Sequence, residues 1–482
     1  MPERPTLSLT EARAALDRQE TTSRDLTDAC LARVHELDAD LRAFITVDAD
    51  GARQRADRAD EQLRRGERQG PLHGLPLAIK DNLAVAGQVT TMGSAIFRDH
   101  VPTQSAGVVE RLAEQGAVSV GKTALHEFAL GVTTENPHYG ICRNPVDRER
   151  TPGGSSGGSA VAVTTGMALG AIGSDTSGSI RIPAAACGIV GLKPTYGRVS
   201  THGCYPESWS LDHVGVLAQT VQDAAVMLDA ISGHDPRVPS SLDLLPTTTA
   251  RDLPDEQDPQ QALPLRIGIE ESFFFHDVDP EIETEVRSTL DALVADGAQL
   301  VPLTLPSLGA SIFALTVIDT AETTAVHEAQ FRRRPQDYGE DVRLLLECGA
   351  IPSAVDYVQS QQIRAQVRRE FQEAFAGVDV IVAPTLPIQT PRIGEATVHL
   401  NGREADRDQE LMRLVGPANL VGLPSISVPC GQAHGMPVGL QVIGPALGEL
   451  AVLRAAARVE GLVGERLPAQ RRPLPHITAD DV

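Results

Sequence analysis

Lysine is the residue that this sequence almost lacks. Of its 42 Lys and Arg residues, only three are lysine, at Lys80, Lys122 and Lys193. Arginine keeps its charge at any workable pH, whereas a lysine removed from water can lose its proton and act as a base. All three lysines lie around one Gly- and Ser-rich region of an otherwise arginine-rich chain. We therefore expect at least one of them to do something that arginine cannot do.

Other scarcities exclude whole classes of protein. The six cysteines are scattered with no CxxC pair, which argues against a zinc ribbon and provides no disulfide framework. No run approaches the roughly 18–20 apolar residues of a membrane span, and Met1–Leu9 contains no apolar signal region. These features predict a cytoplasmic chain with no membrane partner, no metal and no cofactor.

Positive charge is also in short supply. The net charge of −22 reflects 64 Asp and Glu residues against 42 Lys and Arg. Nucleic acid is bound largely by neutralising its phosphates with Lys and Arg, so this balance predicts no nucleic-acid partner. We interpret the excess negative charge as surface charge that keeps the protein soluble.

Strand and helix patterns alternate along the whole chain, and 41% of the residues are apolar, which is ample for a core. This alternation predicts an α/β fold with a large mixed β-sheet covered by helices on both faces. We expect an N-terminal helical segment packed on the core at 1–70, a central core at 71–235 and a surface insert or linker at 236–264. Residues 265–482 are expected to complete the same α/β domain and to include a helical cover.

Individual elements can also be placed. Leu77–Ile79 and Leu169–Gly173 are short apolar runs that predict buried strands, and the first of them ends on Lys80. Ser23 is expected to cap a helix with an apolar face, and Ile312–Phe375 is expected to be helical. A cation placed directly after a buried strand does not occupy a typical solvated position.

Two Gly- and Ser-rich clusters, Thr151–Ser159 and Gly173–Ser179, flank a nearly continuous apolar run. Glycine permits backbone shapes that other residues disfavour and leaves its N–H groups accessible, and serine supplies a compact oxygen. A flexible Gly/Ser linker is the plain alternative. A linker would not carry a buried apolar core, nor an Asp175 and an Arg181 close to its serines. The pattern therefore favours backbone donors arranged around serine nucleophiles.

A second glycine motif, Gly116–Thr123, matches the phosphate-loop pattern GxxxxGK[ST]. A phosphate loop follows a strand and is irregular inside, whereas Ala117–Val120 is itself a strand-forming run. We interpret the match as accidental. Lys122 is then expected to tether a loop to nearby backbone or carboxylates, and Lys193 to make a structural contact beneath the Gly/Ser region.

Three interpretations of the serine clusters compete. Gly154–Gly158 fits the GxSxG nucleophile elbow, which requires a later acid and a histidine; the candidate histidines are His202, His213, His327 and His434. A non-catalytic loop could instead bind an anion or a partner through its N–H groups. A serine hydrolase with a neutral lysine as base is the third, and it would use Lys80, Ser155 and Ser179.

Several long motifs favour the third interpretation. In chain order they are Gly74–Asn82 (GLPLAIKDN), Pro152–Ser159 (PGGSSGGS), Asp175–Arg181 (DTSGSIR), Gly188–Thr195 (GIVGLKPT) and Ser210–Gly215 (SLDHVG). Together they resemble the amidase signature family, and the resemblance runs nearly end to end. Because it involves several motifs in the right order, it is far more specific than GxSxG.

The resemblance implies a Ser–Ser–Lys triad. Lys80 would be the base, Ser179 the nucleophile, and Ser155 a bridging serine held by a cis Gly154–Ser155 peptide. The family also implies a set of supporting groups: backbone N–H donors for the oxyanion from Thr176, Ser177, Gly178 and Ser179, and surrounding side chains from Ser156, Asp175 and Arg181. Like-charge repulsion from Arg181 is expected to help keep Lys80 unprotonated.

Three further features bear on which family member this is. The family often has glycine where this chain has Ser177, which puts the shape of the oxyanion hole in question. By the same resemblance, Ala129, Leu130 and Gly131 are expected beside the acyl pocket, although plain core packing is an equal alternative. In glutamyl-tRNA amidotransferase, the glutaminase chain of the complex usually has Gln where Ile182 stands here.

We therefore expect a free-standing hydrolase of small, largely apolar amides, anilides or carbamates. A glutaminase subunit of that amidotransferase and a non-catalytic binding protein are the alternatives. The sequence leaves the oligomeric state open, and a homodimer is one option.

Overall fold

The centre of the molecule is one mixed sheet of eleven strands, seen in a computed structural model that describes residues 7–253 and 264–464. Fifteen strands are present in these residues: β1 (Phe44–Val47), β2 (Pro76–Lys80), β3 (Val118–Thr123), β4 (Glu135–Asn136), β5 (Gly140–Ile141), β6 (Gly170–Asp175), β7 (Val190–Lys193), β8 (His213–Ala218), β9 (Arg266–Ile269), β10 (Gln299–Pro302), β11 (Val380–Pro384), β12 (Thr397–Leu400), β13 (Arg403–Asp406), β14 (Ser425–Ala433) and β15 (Met436–Ile443). The pairs β4–β5 and β12–β13 form small separate ribbons.

Sixteen helices accompany the strands in the same residues: α1 (Leu9–Asp17), α2 (Ser23–Leu41), α3 (Ala49–Arg64), α4 (Gly107–Glu114), α5 (Gly157–Thr164), α6 (Arg181–Cys187), α7 (Val221–Ile231), α8 (Thr249–Asp252), α9 (Glu271–Phe274), α10 (Pro280–Ala295), α11 (Leu308–Phe331), α12 (Glu340–Gly349), α13 (Ala354–Ala374), α14 (Arg407–Arg413), α15 (Gly416–Val421) and α16 (Glu449–Gly464). Helices and sheet share one large apolar core. The predicted α/β class is confirmed.

The order of strands across the large sheet is β1-β3-β2-β6-β8-β7-β14-β15-β11-β9-β10. Strand β2 runs parallel to both β3 and β6. Because parallel strands end at the same edge of a sheet, Lys80 at the end of β2 and Asp175 at the end of β6 lie on one edge. This edge of the sheet brings the predicted site residues together.

The same strand order joins distant parts of the chain. Strand β7 pairs antiparallel with β14, so strands from both sides of the predicted insert belong to one sheet. The insert itself, predicted at 236–264, is described only as far as residue 253, and the rest lies outside the described residues. Its described part contains α8, whose Thr249 N–H donates to Asp229 on α7. The division of the chain at these boundaries stays a prediction.

Two predicted boundaries need correction. The helix cap expected at Ser23 is Thr22, whose side chain accepts from Asp25 N–H while Asp25 accepts from Thr22 N–H, so Ser23 is the first helical residue. The helical region expected over 312–375 is three helices, α11, α12 and α13, because the segments around Pro335 and Pro352 interrupt it.

Candidate active site

Lys80 lies at the buried end of β2, after the apolar residues Leu77–Ile79. Its side chain is fully buried, and its Nζ lies 2.7 Å from Ser155 Oγ and 2.8 Å from Ser174 Oγ. Its hydrogen-bond partners are therefore hydroxyl groups, and no carboxylate of the described chain is within ion-pairing distance. Lys80 and Ser155, both predicted from sequence, are in direct contact.

Burial lowers the pKa of Lys80 to about 8. Three nearby carboxylates, Glu207, Asp175 and Asp212, oppose this effect and raise it. The expected cause was repulsion from Arg181, but the loss of water around the amine is the largest effect. A substantial neutral fraction of Lys80 is therefore available near neutral pH.

Glycines shape the loop that carries Ser155. Gly153 has φ +75°, and the Gly154–Ser155 peptide is cis, as the family resemblance implied. A Cβ on Gly154 would lie 2.8 Å from the backbone nitrogen of Thr133, so no other residue fits there without a shift. Thr134 Oγ1 donates to Gly153 O at 2.9 Å and accepts from Gly157 N–H at 3.1 Å. The loop is thus held from both ends by one threonine.

Ser179 follows the end of β6 and precedes α6. Its carbonyl oxygen accepts from Ser156 N–H at 3.1 Å, which joins the two serine clusters through their backbones. Ser156 Oγ also donates to Ser174 O at 3.1 Å. Among the described residues, Ser179 Oγ has no hydrogen-bond partner, so the direct bond between Ser155 and Ser179 that a relay requires is not formed in this state.

The departure at Ser177 is compatible with the local backbone. Gly178 has φ +121°, whereas Ser177 is outside the positive-φ region. A Cβ on Gly178 would lie 2.3 Å from Val415 Cγ2. Glycine is therefore required at 178 and not at 177, and the serine is accommodated without a strained φ.

Asp175 and Arg181 form a buried ion pair beneath this turn, with Nη2 and Oδ1 3.0 Å apart. Asp175 also accepts from the backbone N–H groups of Gly178 and Ile180. Burial alone would raise the pKa of Asp175, but Arg181, Lys193 and the hydrogen bonds outweigh it and lower that pKa. A permanently ionised Asp175 therefore holds the turn in shape.

Asn419 and Gln441 complete the support, and sequence reasoning missed both. Asn419 Nδ2 donates to Asp175 Oδ1 at 2.8 Å, and Gln441 Oε1 accepts from Arg181 Nη1 at 2.7 Å. Both residues lie more than 230 positions downstream, and no local pattern marks them as partners of Asp175 and Arg181.

The predicted oxyanion donors are only partly available. Gly178 N–H donates to Asp175 Oδ1 at 2.9 Å, so it is engaged within the turn. The N–H groups of Thr176, Ser177 and Ser179 have no acceptor among the described residues. The set of four predicted donors is thus corrected to three.

A buried acidic group that sequence reasoning also missed lies next to the turn. Thr176 Oγ1 is 2.8 Å from Glu207 Oε2 and 2.7 Å from Asp212 Oδ1. Burial raises the pKa of Asp212 to about 6 and raises that of Glu207 well above its usual range. One threonine hydrogen can serve only one of the two carboxyl groups, so a further proton shared in this group fits the geometry. Asp212 stands in the SLDHVG motif, which was the only signal for it.

The loop that holds Ala129, Leu130 and Gly131 contacts the first serine cluster. His126 N–H donates to Ser155 O at 3.3 Å, which ties the start of this loop to the bridging serine. Ala129 and Leu130 are buried, and Leu130 packs in a small apolar cluster around Phe128. Gly131 is partly exposed and lies against the His126 ring. The role of these three residues in substrate binding stays a prediction.

The other two lysines have the structural contacts that were predicted. Lys122 Nζ donates to Asp81 Oδ1 at 2.7 Å and to Leu83 O at 2.9 Å. The GxxxxGK[ST] match around Lys122 forms strand β3, so it is not a phosphate loop. Lys193 Nζ donates to the backbone oxygens of Pro194 and Leu423.

The histidines considered for a GxSxG mechanism are engaged elsewhere. His213 Nδ1 lies 2.6 Å from Leu211 O, and His327 Nδ1 lies 3.1 Å from Tyr338 OH. His434 is paired with Asp279. None of the candidate histidines contacts a serine of either cluster among the described residues, so the nucleophile-elbow interpretation has no base.

Two searches over the described parts of the chain found nothing. No three His, Cys, Asp or Glu side chains of residues 7–253 and 264–464 are grouped so that they could hold a metal ion. No helix in those ranges is long and apolar enough to cross a bilayer.

The fold and this site define an enzyme class that acts on carbon–nitrogen bonds, and comparisons with known proteins agree. Residues 25–453 match the family described as Amidase. The chain is 41% identical to the GatA-type chain of glutamyl-tRNA(Gln) amidotransferase from Roseiflexus sp. (strain RS-1), over 93% of this chain and 94% of the relative. This chain therefore belongs to the amidase signature family.

Two solved structures are also similar. One, described as an unexpected vestigial protein complex that reveals the origins of an s-triazine catabolic enzyme, is 34% identical with a TM-score of 0.89, covering 94% of this chain and 98% of that one. The other, described as an amidase, is 35% identical with a TM-score of 0.86, covering 95% of this chain and all of that one.

Proposed function

We propose that the chain is a serine amidohydrolase that works through a Lys80–Ser155–Ser179 relay and an acyl-enzyme. The observation that carries this proposal is the 2.7 Å contact between Ser155 Oγ and the fully buried Nζ of Lys80. An amine with a pKa lowered to about 8 can accept a proton from serine, which is a poor nucleophile without a base.

The steps follow from the positions of these groups. Neutral Lys80 takes the proton of Ser155, Ser155 takes that of Ser179, and Ser179 Oγ attacks the carbonyl carbon. The N–H groups of Thr176, Ser177 and Ser179 stabilise the oxyanion, and each such donor is typically worth about 3 kcal/mol. Ser155 then protonates the departing nitrogen, and water hydrolyses the acyl-enzyme.

The relay requires Ser179 Oγ to rotate toward Ser155 when substrate binds. Hydrogen bonds at catalytic centres are often long or unmade before the substrate arrives. The link from Ser156 N–H to Ser179 O already keeps the two serine segments adjacent, so a side-chain rotation is enough.

The walls of the site favour a small, largely apolar substrate. Ile182 is fully buried, and its Cδ1 lies 2.8 Å from where a Cβ of Gly178 would be, next to the nucleophile. Only 3% of the chain is aromatic, yet several of these residues gather around Phe128, beside Leu130: Phe97, Tyr205, Phe331 and Tyr338. We propose amides, anilides or carbamates with an apolar acyl group, with Ala129, Leu130 and Gly131 beside that group.

A second candidate is the glutaminase subunit of a glutamyl-tRNA amidotransferase, which the curated relative at 41% identity favours. Such a chain must hold the polar amino-acid end of glutamine and would act with partner chains. Ile182 in place of the usual Gln argues for the free-standing enzyme. A non-catalytic role is the weakest candidate, because it gives no reason for a desolvated Lys80 beside two serines.

A substrate panel separates the candidates. Purified protein is assayed with aliphatic amides, anilides, carbamates, esters and glutamine. We expect turnover of apolar amide-type substrates and little release of ammonia from glutamine. Glutamine as the best substrate would favour the amidotransferase role, and no turnover of any compound would favour a binding protein.

The nucleophile is tested by covalent labelling. A fluorophosphonate probe should label the unmodified protein and should not label the Ser179→Ala variant, as read by mass spectrometry of the labelled peptide. Labelling that persists in Ser179→Ala would assign the nucleophile to another residue.

A further inference from the structure

A second cavity, of about 660 Å³, lies outside the serine–lysine centre. Its wall is formed by α13, by the segment at Thr195–Tyr196, and by the loops at Val421–Leu423 and Pro445–Leu447. None of its lining residues belongs to the site described above. Ligand pockets for small molecules commonly have volumes of about 300–1,000 Å³, so this cavity is of ligand size.

The lining combines apolar side chains with two cations. Phe375, Leu423 and Leu447 contribute apolar surface, and Leu447 is half exposed. Arg364 and Arg368 line the same cavity one helical turn apart on α13. No Asp or Glu is among the lining residues, although acidic residues outnumber basic ones in the chain by 64 to 42.

Arg364 is only 9% exposed and is only partly satisfied. Its Nη1 and Nη2 donate to Ser210 Oγ at 3.0 Å and to Ser210 O at 2.8 Å. Its Nε is buried with no acceptor in the described chain. Buried guanidinium N–H groups are usually paired, so an unpaired one beside a cavity indicates a position for an external acceptor.

Arg368 is exposed and has neither an ion pair nor a hydrogen bond among the described residues. Its neighbour Arg369 donates to Gln366 and pairs with Glu373. Burial and the like charge of Arg368 both lower the pKa of Arg364. An anion placed between the two guanidinium groups would relieve both effects.

We propose that this cavity is a second binding site, specific for a small organic anion whose carboxylate meets Arg364 and Arg368 while its apolar body lies against Phe375, Leu423 and Leu447. The chemistry is that of a fatty or aryl carboxylate. A purely apolar ligand would leave the two arginines unanswered, and a bare inorganic anion would leave the apolar wall exposed.

Octanoate and 1-octanol form a matched pair of probes, because they share the chain and differ in the charge. Isothermal titration calorimetry on the full-length protein should show octanoate binding that 1-octanol does not match. Arg368→Gln should weaken octanoate by about tenfold, as expected for the loss of one charge-assisted hydrogen bond. Arg369→Gln, on the same helix but outside the cavity, is the control and should bind octanoate like the parent.

A second variant tests the cavity itself without touching charge. Ala376 is exposed and lines the cavity, so Ala376→Trp should fill part of it from the surface and also weaken octanoate. Octanoate that binds only in the serine–lysine centre would be unaffected by Arg368→Gln and Ala376→Trp, and that result would overturn the proposal. Absence of octanoate binding to the parent, or equal weakening by Arg369→Gln, would overturn it as well.

Discussion

At the scale of single residues, Lys80 and Lys122 show how the same side chain can serve two purposes. Both are fully buried, but Lys122 has the carboxylate of Asp81 at 2.7 Å, whereas Lys80 has two serine hydroxyls. A buried ammonium is stable only when it is paired, so the environment of Lys122 fits a charged form and that of Lys80 fits a neutral one. This contrast is the physical basis for assigning the base to Lys80.

Replacing Lys80 by arginine should therefore be as damaging as replacing it by alanine. Arginine keeps its proton and cannot act as a base. We expect both Lys80→Arg and Lys80→Ala to lose at least about hundredfold in kcat/KM, the usual scale of general-base catalysis. Thermal unfolding curves of both variants check that the loss is not one of folding. Substantial activity in Lys80→Arg would rule out lysine as the base.

The pH dependence of the reaction should report the pKa of Lys80. Below about 8 the amine is mostly protonated and cannot accept a proton, so kcat/KM should rise with pH and level off above that value. Glu207 raises this pKa, so Glu207→Gln should move the midpoint to lower pH. Glu404→Gln, at an exposed position on β13, is the control. A midpoint that stays in place or moves upward in Glu207→Gln would contradict the assignment.

Local motifs carried most of the site at this scale. Lys80, Ser155, Ser179, Asp175 and Arg181 all stand in short runs of unusual composition. Ser174, Glu207, Asn419 and Gln441 could not be found in this way, because each is an ordinary residue whose importance comes only from what the fold places beside it. The availability of Gly178 N–H was also beyond prediction, since it depends on which way the Asp175 carboxylate points.

At the scale of elements, the turn between β6 and α6 is the most constrained part of the site. It is fixed by the carboxylate of Asp175 within, by Val415 and Ile182 against Gly178, and by Ser156 against Ser179. Three of its N–H groups are left without acceptors among the described residues as a result. The turn is thus arranged for an anion before any substrate arrives.

Two neighbouring substitutions in this turn should have opposite outcomes. Gly178→Ala places a methyl group 2.3 Å from Val415 Cγ2 at φ +121°, so we expect a loss of about 1–3 kcal/mol in the free energy of unfolding and a strong loss of kcat/KM. Ser177→Gly should retain activity of the parent's order, because Ser177 is outside the positive-φ region. Thermal unfolding and kcat/KM measure both effects, and a fully active Gly178→Ala variant would show that the turn is not constrained as described.

Most elements could be located from apolar periodicity, with differences at their ends. The strand expected at Leu77–Ile79 extends to Pro76–Lys80, and so includes the base itself. The helix cap was misplaced by one residue because Thr22 and Ser23 are both good capping residues, and only the reciprocal bond with Asp25 distinguishes them. Periodicity does not resolve such choices.

At the scale of the whole molecule, the order of strands in the sheet was not predictable. The pairing of β7 with β14 joins positions more than 230 residues apart, and it brings Asn419 and Gln441 under the Asp175–Arg181 pair. Sequence reasoning established an α/β class, but long-range pairing is set by packing of the complete chain. Cytoplasmic location and a homodimer stay predictions.

Activity should survive removal of divalent metal ions. The proposed reaction uses a serine, a lysine and backbone N–H groups, all supplied by this chain. We expect kcat/KM for the best amide of the panel to be unchanged after dialysis against EDTA. Loss of activity that is restored by adding back a divalent metal would show that the reaction needs a metal.

Proteases offer an independent use of the scarcity and burial of lysine. An endoproteinase that cuts only after lysine has three target residues here, and all of them lie in strands of the central sheet with no exposed surface. Cleavage at Lys80 or Lys122 therefore requires the sheet to open, so its rate in mild denaturant reports the population of molecules with an opened core. Trypsin also cuts after exposed arginines such as Arg368 and cannot make this distinction. The composition that reserves lysine for the interior thus gives the protein a built-in assay of global unfolding.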